Sequence, residues 1–201
     1  MKLYYAPGAC SLSPHITLCE ADLPYELVKV DIQQKTIEKE GDFFKVNSYG
    51  YVPALELDNG ELLIEGAAIV QYIADQVPGK KLAPIAGSIE RYRLQEWLSF
   101  ISTELHKGLG VLFNPALPDN ARDFFKENFA NRLNVLVSKL GDKSYLMGDD
   151  FTVVDAYLYT VLSWCPHVDF DLSPWPSLQA YQDRISTRDA VQKALGEEGL
   201  L

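Results

Sequence analysis

Two hydrophobic periods divide this chain. Up to about residue 77, short alternating runs take turns with helical ones; beyond residue 88 only the helical period remains. Leu3-Tyr4-Tyr5 predicts a short strand that stops at Pro7-Gly8. Ser13-Pro14 predicts the opening of a helix, since Ser caps well and Pro fits the first turn. Tyr25 to Val30 alternates as a half-buried strand does, and residues 38–46 predict a short polar helix. Ala54 to Leu57 and Glu61 to Ile64 flank Asp58-Asn59-Gly60, which predicts a hairpin. Ile69, Val70, Ile73 and Val77 then fall on one face of a helix.

The order strand-helix-strand-helix-strand-strand-helix predicts a parallel pair with a crossover, followed by antiparallel strands. That is the arrangement of a thioredoxin-like sheet. Two prolines and two glycines crowd the stretch from Pro78 to Ser88, which reads as a linker. After it, Leu94, Trp97, Leu98, Ile101 and Leu105 keep a 3.6-residue period, and Phe125, Phe129, Leu133, Leu136 and Leu140 keep another. The expected fold class is therefore α/β plus all-α. Residues 1–78 form a thioredoxin-like domain, 79–87 a linker and 88–201 an all-helical domain.

Composition excludes some function classes. With 18 Lys and Arg against 28 Asp and Glu the net charge is −10, and no basic cluster offers phosphates a surface. Nucleic acid and anionic membranes are not expected partners. The opening residues lack a signal-peptide apolar core and no stretch is long enough to span a bilayer, so a cytoplasmic protein is expected. Cys10, Cys19 and Cys165 are too few for a disulfide framework and lack zinc-site spacing, so no metal is expected.

Several residues could carry chemistry. Cys10 lies in Pro7-Gly8-Ala9-Cys10-Ser11-Leu12-Ser13, just before the first helix, where unpaired N–H groups favour a thiolate. Cys10-x-x-Ser13 has the spacing of a redox motif without its second cysteine, so an external thiol would have to resolve it. A small buried hydrophobe would read the same way. Cys19 and Cys165 read as packing residues. Val52-Pro53 precedes a strand; a cis bond there would leave the Val52 backbone to pair with an extended peptide, whereas an ordinary turn proline needs no ligand. Glu65-Gly66-Ala67 opens a helix whose N–H groups can bind a carboxylate while Glu65 binds an ammonium, or Glu65 merely offsets the helix dipole. Ser99, Thr103 and His106 share a polar helix face, suited to lining a cleft between domains or simply to meeting solvent. Thr152-Val153-Val154-Asp155 reads as a capping box, which makes Asp155 a folding signal and not an acid catalyst.

Cys10, Val52-Pro53-Ala54-Leu55, Glu65-Gly66 and Thr152-x-x-Asp155, in this order and spacing, resemble the soluble glutathione transferases. Pro7 to His15 and Glu104-Leu105-His106-Lys107-Gly108 resemble the bacterial beta, or cysteine-type, class. The resemblance covers essentially the whole chain. It implies glutathione as co-substrate, a small hydrophobic electrophile as partner, a detoxifying transferase and a homodimer. Cys10 and His106 would be the catalytic residues, with Lys35 near the same sulfur. Val52 and Pro53 would meet the tripeptide backbone, and Glu65 and Gly66 its γ-glutamyl head. Ser99, Thr103, Glu104 and Leu105 fall in the segment from which a neighbouring subunit completes the glutathione site. Tyr157, Val161 and Trp164 would wall the electrophile. The chain also departs from the family pattern: Tyr49 and Tyr51 replace basic or amide side chains, Gly66 replaces Ser and Ser99 replaces Asn.

Conjugation is the expected reaction. A thiol at the site also permits glutaredoxin-like thiol–disulfide exchange or glutathione-dependent reduction. A non-catalytic ligand-binding protein is the alternative from another class.

Overall fold

The computed structural model describes residues 1–37 and 41–201. They cluster into two compact units, Met1–Ala83 with Arg188–Leu201, and Pro84–Thr187. The break after Ala83 falls inside the expected linker. The final helix does not stay with the helical unit as expected from sequence; it belongs to the first.

The first unit is built on a sheet. Strands β1 (Lys2–Tyr5), β2 (Glu26–Asp31), β3 (Thr36–Ile37), β4 (Gly41–Asp42), β5 (Ala54–Glu56) and β6 (Leu62–Ile64) lie in the order β4-β3-β2-β1-β5-β6. β1 and β2 are parallel, with Leu3 opposite Leu27, and helix α1 (Leu12–Ala21) connects them. β5 runs antiparallel to β1 and pairs with β6 through the loop in which Gly60, at φ 83°, closes the turn. Helix α2 (Gly66–Gln76) follows, burying Ile69, Val70 and Ile73 as its period required, while Val77 caps its end. Alternation along β1 separates two apolar sets: Tyr4 and Ala6 join Val28, Val30, Ile37 and Phe43 in one cluster, whereas Leu3 belongs to neither side's solvent and is fully buried. Each fully buried Leu or Ile of this kind contributes about 1.5–3 kcal/mol.

Two local expectations give way. Residues 38–40 of the expected polar helix lie outside the described residues. Its remainder is not an α-helix: β4 pairs antiparallel with β3, and a 3-10 turn (Phe43–Lys45) follows. Gly41 at φ 97° has no helical backbone, the Asp42 carboxylate accepts the Phe44 N–H, and Phe43 must point into the core. Helix α1 also begins before Ser13. Ser11 occupies the cap position, and its hydroxyl accepts from the Ala6 N–H and donates to the Ala6 carbonyl. The Ser13 hydroxyl is buried without a partner among the described residues.

Helix α8 (Asp189–Glu198) packs on α1. Arg188 pairs with Glu20, and the buried Glu198 carboxylate accepts from His15 Nδ1 at 2.9 Å and from the Gly8 N–H at 2.8 Å. His15 Nε2 meets Glu197 at 2.8 Å. Burial pulls the His15 ring toward its neutral form, but the contacts with Cys19, Glu198 and Glu197 outweigh it and raise its pKa to about 10. At neutral pH this ring is an imidazolium between two carboxylates.

The second unit is helical. Helix α3 (Ile89–Phe100) runs through a π-helical stretch (Ile101–His106) into the short α4 (Lys107–Gly110). Then come α5 (Asp119–Leu140), α6 (Val153–Leu162) and α7 (Pro176–Ser186). Every residue of α6 is buried, which suits a helix that is apolar on all sides and central to its unit. Asp155 at its start accepts the Thr152 N–H at 2.8 Å, as the capping reading required. Among the described residues no helix is long and apolar enough to cross a membrane.

Candidate functional site

The loop after β1 is tightly held. The Ala9 N–H reaches the Ala6 carbonyl at 3.0 Å, Gly8 takes φ 69°, and Ser11 clamps Ala6 from the other side. These contacts present Cys10, partly exposed, at the mouth of α1. Its Sγ donates to the Val52 carbonyl at 3.1 Å. The Val52–Pro53 peptide is cis. A Cβ added at Gly66 would meet Pro53 Cγ at 3.7 Å, so the first residue of α2 lies directly against this proline. The structure thus draws Cys10, Val52, Pro53 and Gly66 into one neighbourhood, although 42 residues separate the first two in sequence.

The segment leading to Val52 is organised by Asn47, which the sequence reading did not single out. Its amide donates to the Tyr51 carbonyl at 2.8 Å and its oxygen accepts the Tyr49 N–H at 3.1 Å. Asn and Asp commonly fold a loop this way, and that habit was the available signal. Gly50 sits at φ 65°, and a Cβ there would come within 2.7 Å of the Phe44 ring, so no side chain fits. The Tyr49 and Tyr51 side chains project outward, 65% and 69% exposed. Lys35, just before β3, reaches this segment with its side chain: its Nζ donates to the Gly50 carbonyl at 2.9 Å and stands 5.3 Å from the centre of the Tyr51 ring.

Glu65 is strained. It takes φ 70°, ψ 111° without being glycine, while its carbonyl accepts the Ala68 and Ile69 N–H groups that start α2. Such a backbone costs about 1–3 kcal/mol and gathers at functional sites. The strain leaves the Glu65 carboxylate exposed beside the free end of a helix, where an ammonium and a carboxylate can be held side by side.

In the second unit the expected residues divide. Thr103 donates to the Ser99 carbonyl at 3.0 Å, and Glu104 is paired with Arg132. His106 Nδ1 meets the Tyr157 hydroxyl at 2.7 Å, and its ring packs edge-on against Trp164 at 4.8 Å. Burial is the main reason its pKa falls to about 4, with the Lys107 charge adding to it, so the ring is neutral at pH 7. Ser99 and Thr103 are exposed, whereas Leu105 and Val161 are fully buried in helix packing. Thr103, Glu104 and His106 all lie on the π-helical stretch, a deformation often found at functional sites.

The remaining thiols differ in kind. Cys165 is buried, and desolvation pushes its pKa up to about 12, which makes it inert. Cys19 is only partly buried and touches the Tyr25 hydroxyl at 3.0 Å, so it is no plain core residue.

Comparison with known proteins identifies the family. Residues 8–76 match the family model of the glutathione S-transferase N-terminal domain, and residues 100–189 that of the C-terminal domain. The chain is 45% identical to glutathione S-transferase GstA of Escherichia coli O157:H7, with both chains covered in full. It is similar to BphK, a bacterial glutathione transferase solved as a ternary complex, at 56% identity and a TM-score of 0.98 over the whole of both chains. The beta-class glutathione S-transferase of Sphingomonas chungbukensis matches at 46% identity and a TM-score of 0.96, again over both full chains. The chain belongs to the glutathione S-transferase family, in its bacterial beta class.

Proposed function

We propose that the chain conjugates glutathione to small hydrophobic electrophiles at the site on the first unit. The observation that carries this reading is the meeting of the Cys10 thiol with the Val52 carbonyl, beside Pro53 and the start of α2. An extended tripeptide laid along Val52 pairs with its backbone as an added strand does. Its γ-glutamyl carboxylate takes the N–H groups of Gly66 and Ala67, and its ammonium takes the exposed Glu65 carboxylate. The glutathione sulfur then lies toward Cys10. The α1 N-terminus favours a thiolate there. The thiolate attacks the electrophilic carbon, a sulfur–carbon bond forms, and the leaving group departs with the bonding pair. Rate comes from the raised thiolate fraction and from holding it beside its acceptor.

His106 is the second catalytic residue of this proposal. Burial keeps it neutral and Tyr157 holds Nδ1, so Nε2 is the atom available to exchange a proton. Lys35 holds the Gly50 carbonyl, two residues before Val52. Ser99, Thr103 and Glu104 contribute from a second copy in a homodimer, and Tyr157 and Trp164 shape the electrophile side. The cytoplasm, where glutathione keeps thiols reduced, suits a chain whose described residues form no disulfide.

The cysteine at this site supports a second reading. Cys10 can attack oxidised glutathione, forming a Cys10–glutathione disulfide and releasing one glutathione thiolate; a second glutathione then resolves it. Incubation with oxidised glutathione followed by intact-mass measurement tests the site: a gain of one glutathionyl group that Cys10→Ala abolishes is expected. Turnover of an aryl halide then separates the readings. Conjugation that survives in part in Cys10→Ala supports transfer, loss of exchange alone supports the second activity, and no turnover above background in the parent refutes both.

A further inference from the structure

A second cluster of reactive side chains lies where α8 meets α1, and glutathione chemistry does not use it. His15 and Cys19 are one turn apart on α1, and Glu197 arrives from α8, 182 residues later. The three candidate ligand atoms all lie within 4.8 Å of one another. His15 is fully buried, Cys19 is partly buried and Glu197 faces solvent, which leaves an entry path.

We propose that His15, Cys19 and Glu197 form a zinc site that pins the C-terminal helix to the first helix. The argument rests first on the orientation of His15. Its Nδ1 is held by the buried Glu198 carboxylate at 2.9 Å, which leaves Nε2 to face Glu197, with the Cys19 sulfur in the same cluster of ligand atoms. A carboxylate on the outer nitrogen of an imidazole is the support that protein zinc centres give a ligating histidine. Glu198 is anchored in turn by the Gly8 N–H at 2.8 Å, so the support does not depend on solvent.

The donor set is the second ground. One imidazole nitrogen, one thiolate and one carboxylate suit a borderline-soft tetrahedral ion, whereas Mg²⁺ and Ca²⁺ prefer oxygen throughout. Zinc bonds of about 2.0–2.3 Å place ligand atoms roughly 3.3–3.8 Å apart. Rotation of the exposed Glu197 side chain, now 2.8 Å from Nε2, achieves that spacing. The Tyr25 hydroxyl, 3.0 Å from Cys19 Sγ and 2.6 Å from Glu197, or a water, takes the fourth position.

Binding releases the Nε2 proton of His15 and the thiol proton of Cys19 to solvent, and the divalent ion takes up both lone pairs.

The test is a titration with cobalt(II) chloride, whose thiolate complexes absorb in the near ultraviolet, followed by displacement with zinc chloride. Cys10→Ala protein is used so that the glutathione site offers no thiol. One ion per chain with a thiolate band is expected, lost in Cys10→Ala/Cys19→Ala. Glu197→Gln, a surface change that leaves the fold intact, should weaken affinity roughly tenfold or more. Zinc should also raise the thermal midpoint of the Cys10→Ala protein but not that of the Cys19-less variant. Absence of the band, its persistence without Cys19, or indifference to Glu197→Gln overturns the proposal.

Discussion

Asp155 offers the sharpest test of how the second unit is held together. Its Oδ1 accepts from the Tyr181 hydroxyl at 2.6 Å and from the Leu146 N–H at 2.8 Å. Its Oδ2 accepts from the Thr152 N–H at 2.8 Å and the Thr152 hydroxyl at 3.0 Å. Asp155 and Tyr181 are both fully buried, so water cannot replace the carboxylate. Asp155→Ala leaves three donors in the interior without an acceptor, since only the Thr152 hydroxyl can turn elsewhere. At about 1–2 kcal/mol each, the loss is about 3–6 kcal/mol. That is a large share of the 5–15 kcal/mol by which domains are ordinarily stable. Asp155→Asn keeps one accepting oxygen but sets an N–H₂ group against the Thr152 donors, and an intermediate loss of about 2–3 kcal/mol is expected. Urea unfolding followed by the fluorescence of Trp97, Trp164 and Trp175 measures the series. Asp123→Ala, an exposed carboxylate on α5, is the control and should stay within about 0.5 kcal/mol of the parent. A loss below about 1 kcal/mol for Asp155→Ala would refute the view that this carboxylate knots α6, α7 and the Leu146 turn together.

Three further outcomes are expected. His106 has a folded pKa of about 4 against about 6.5 unfolded, so between these values the unfolded chain binds a proton that the folded one refuses, and stability falls as pH drops. By pH 5 this should cost about 2 kcal/mol; urea curves at pH 7 and pH 5 should show the loss in the parent but not in His106→Asn, and equal losses would sink the assignment. Gly66→Ser places its Cβ in ordinary contact with Pro53, so the helix should be unchanged or up to about 1 kcal/mol more stable, with a lower KM for glutathione; a clear fall in thermal midpoint would contradict the packing described. Glu65→Gly removes both the strained backbone and the carboxylate, so thermal stability should hold or rise while the KM for glutathione increases roughly tenfold or more; an unchanged KM would remove Glu65 from the site.

Much of the fold was legible before any coordinates. The β1-α1-β2 opening, the β5–β6 hairpin, α2 and the capped start of α6 each announce themselves within a dozen residues, because period, turn chemistry and caps are local properties. Cys10 and the Val52–Pro53 pair could be placed at a strand-to-helix junction and a strand entrance, but each read equally as a packing residue or a turn proline until the family resemblance gave it a role. Where local preference met a distant demand, it lost. The polar stretch after Ile37 favours a helix by composition, yet Phe43 is needed in the core beside Tyr4, and Gly41 allows the backbone to pair with β3. Leu105 and Val161, plausible ligand contacts by position, are claimed by helix packing instead.

Sequence by itself therefore determined the kind of domains, their order and the residues around which glutathione chemistry could be built, since those depend on neighbours along the chain. Only the tertiary structure decided that Cys10 meets the Val52 carbonyl, that Glu65 is strained, and that α8 returns to α1 so that Glu198 buttresses His15 and Gly8. Contacts between residues more than 180 positions apart are set by the packing of whole elements, and spacing in a single chain carries no record of which helix face will meet which.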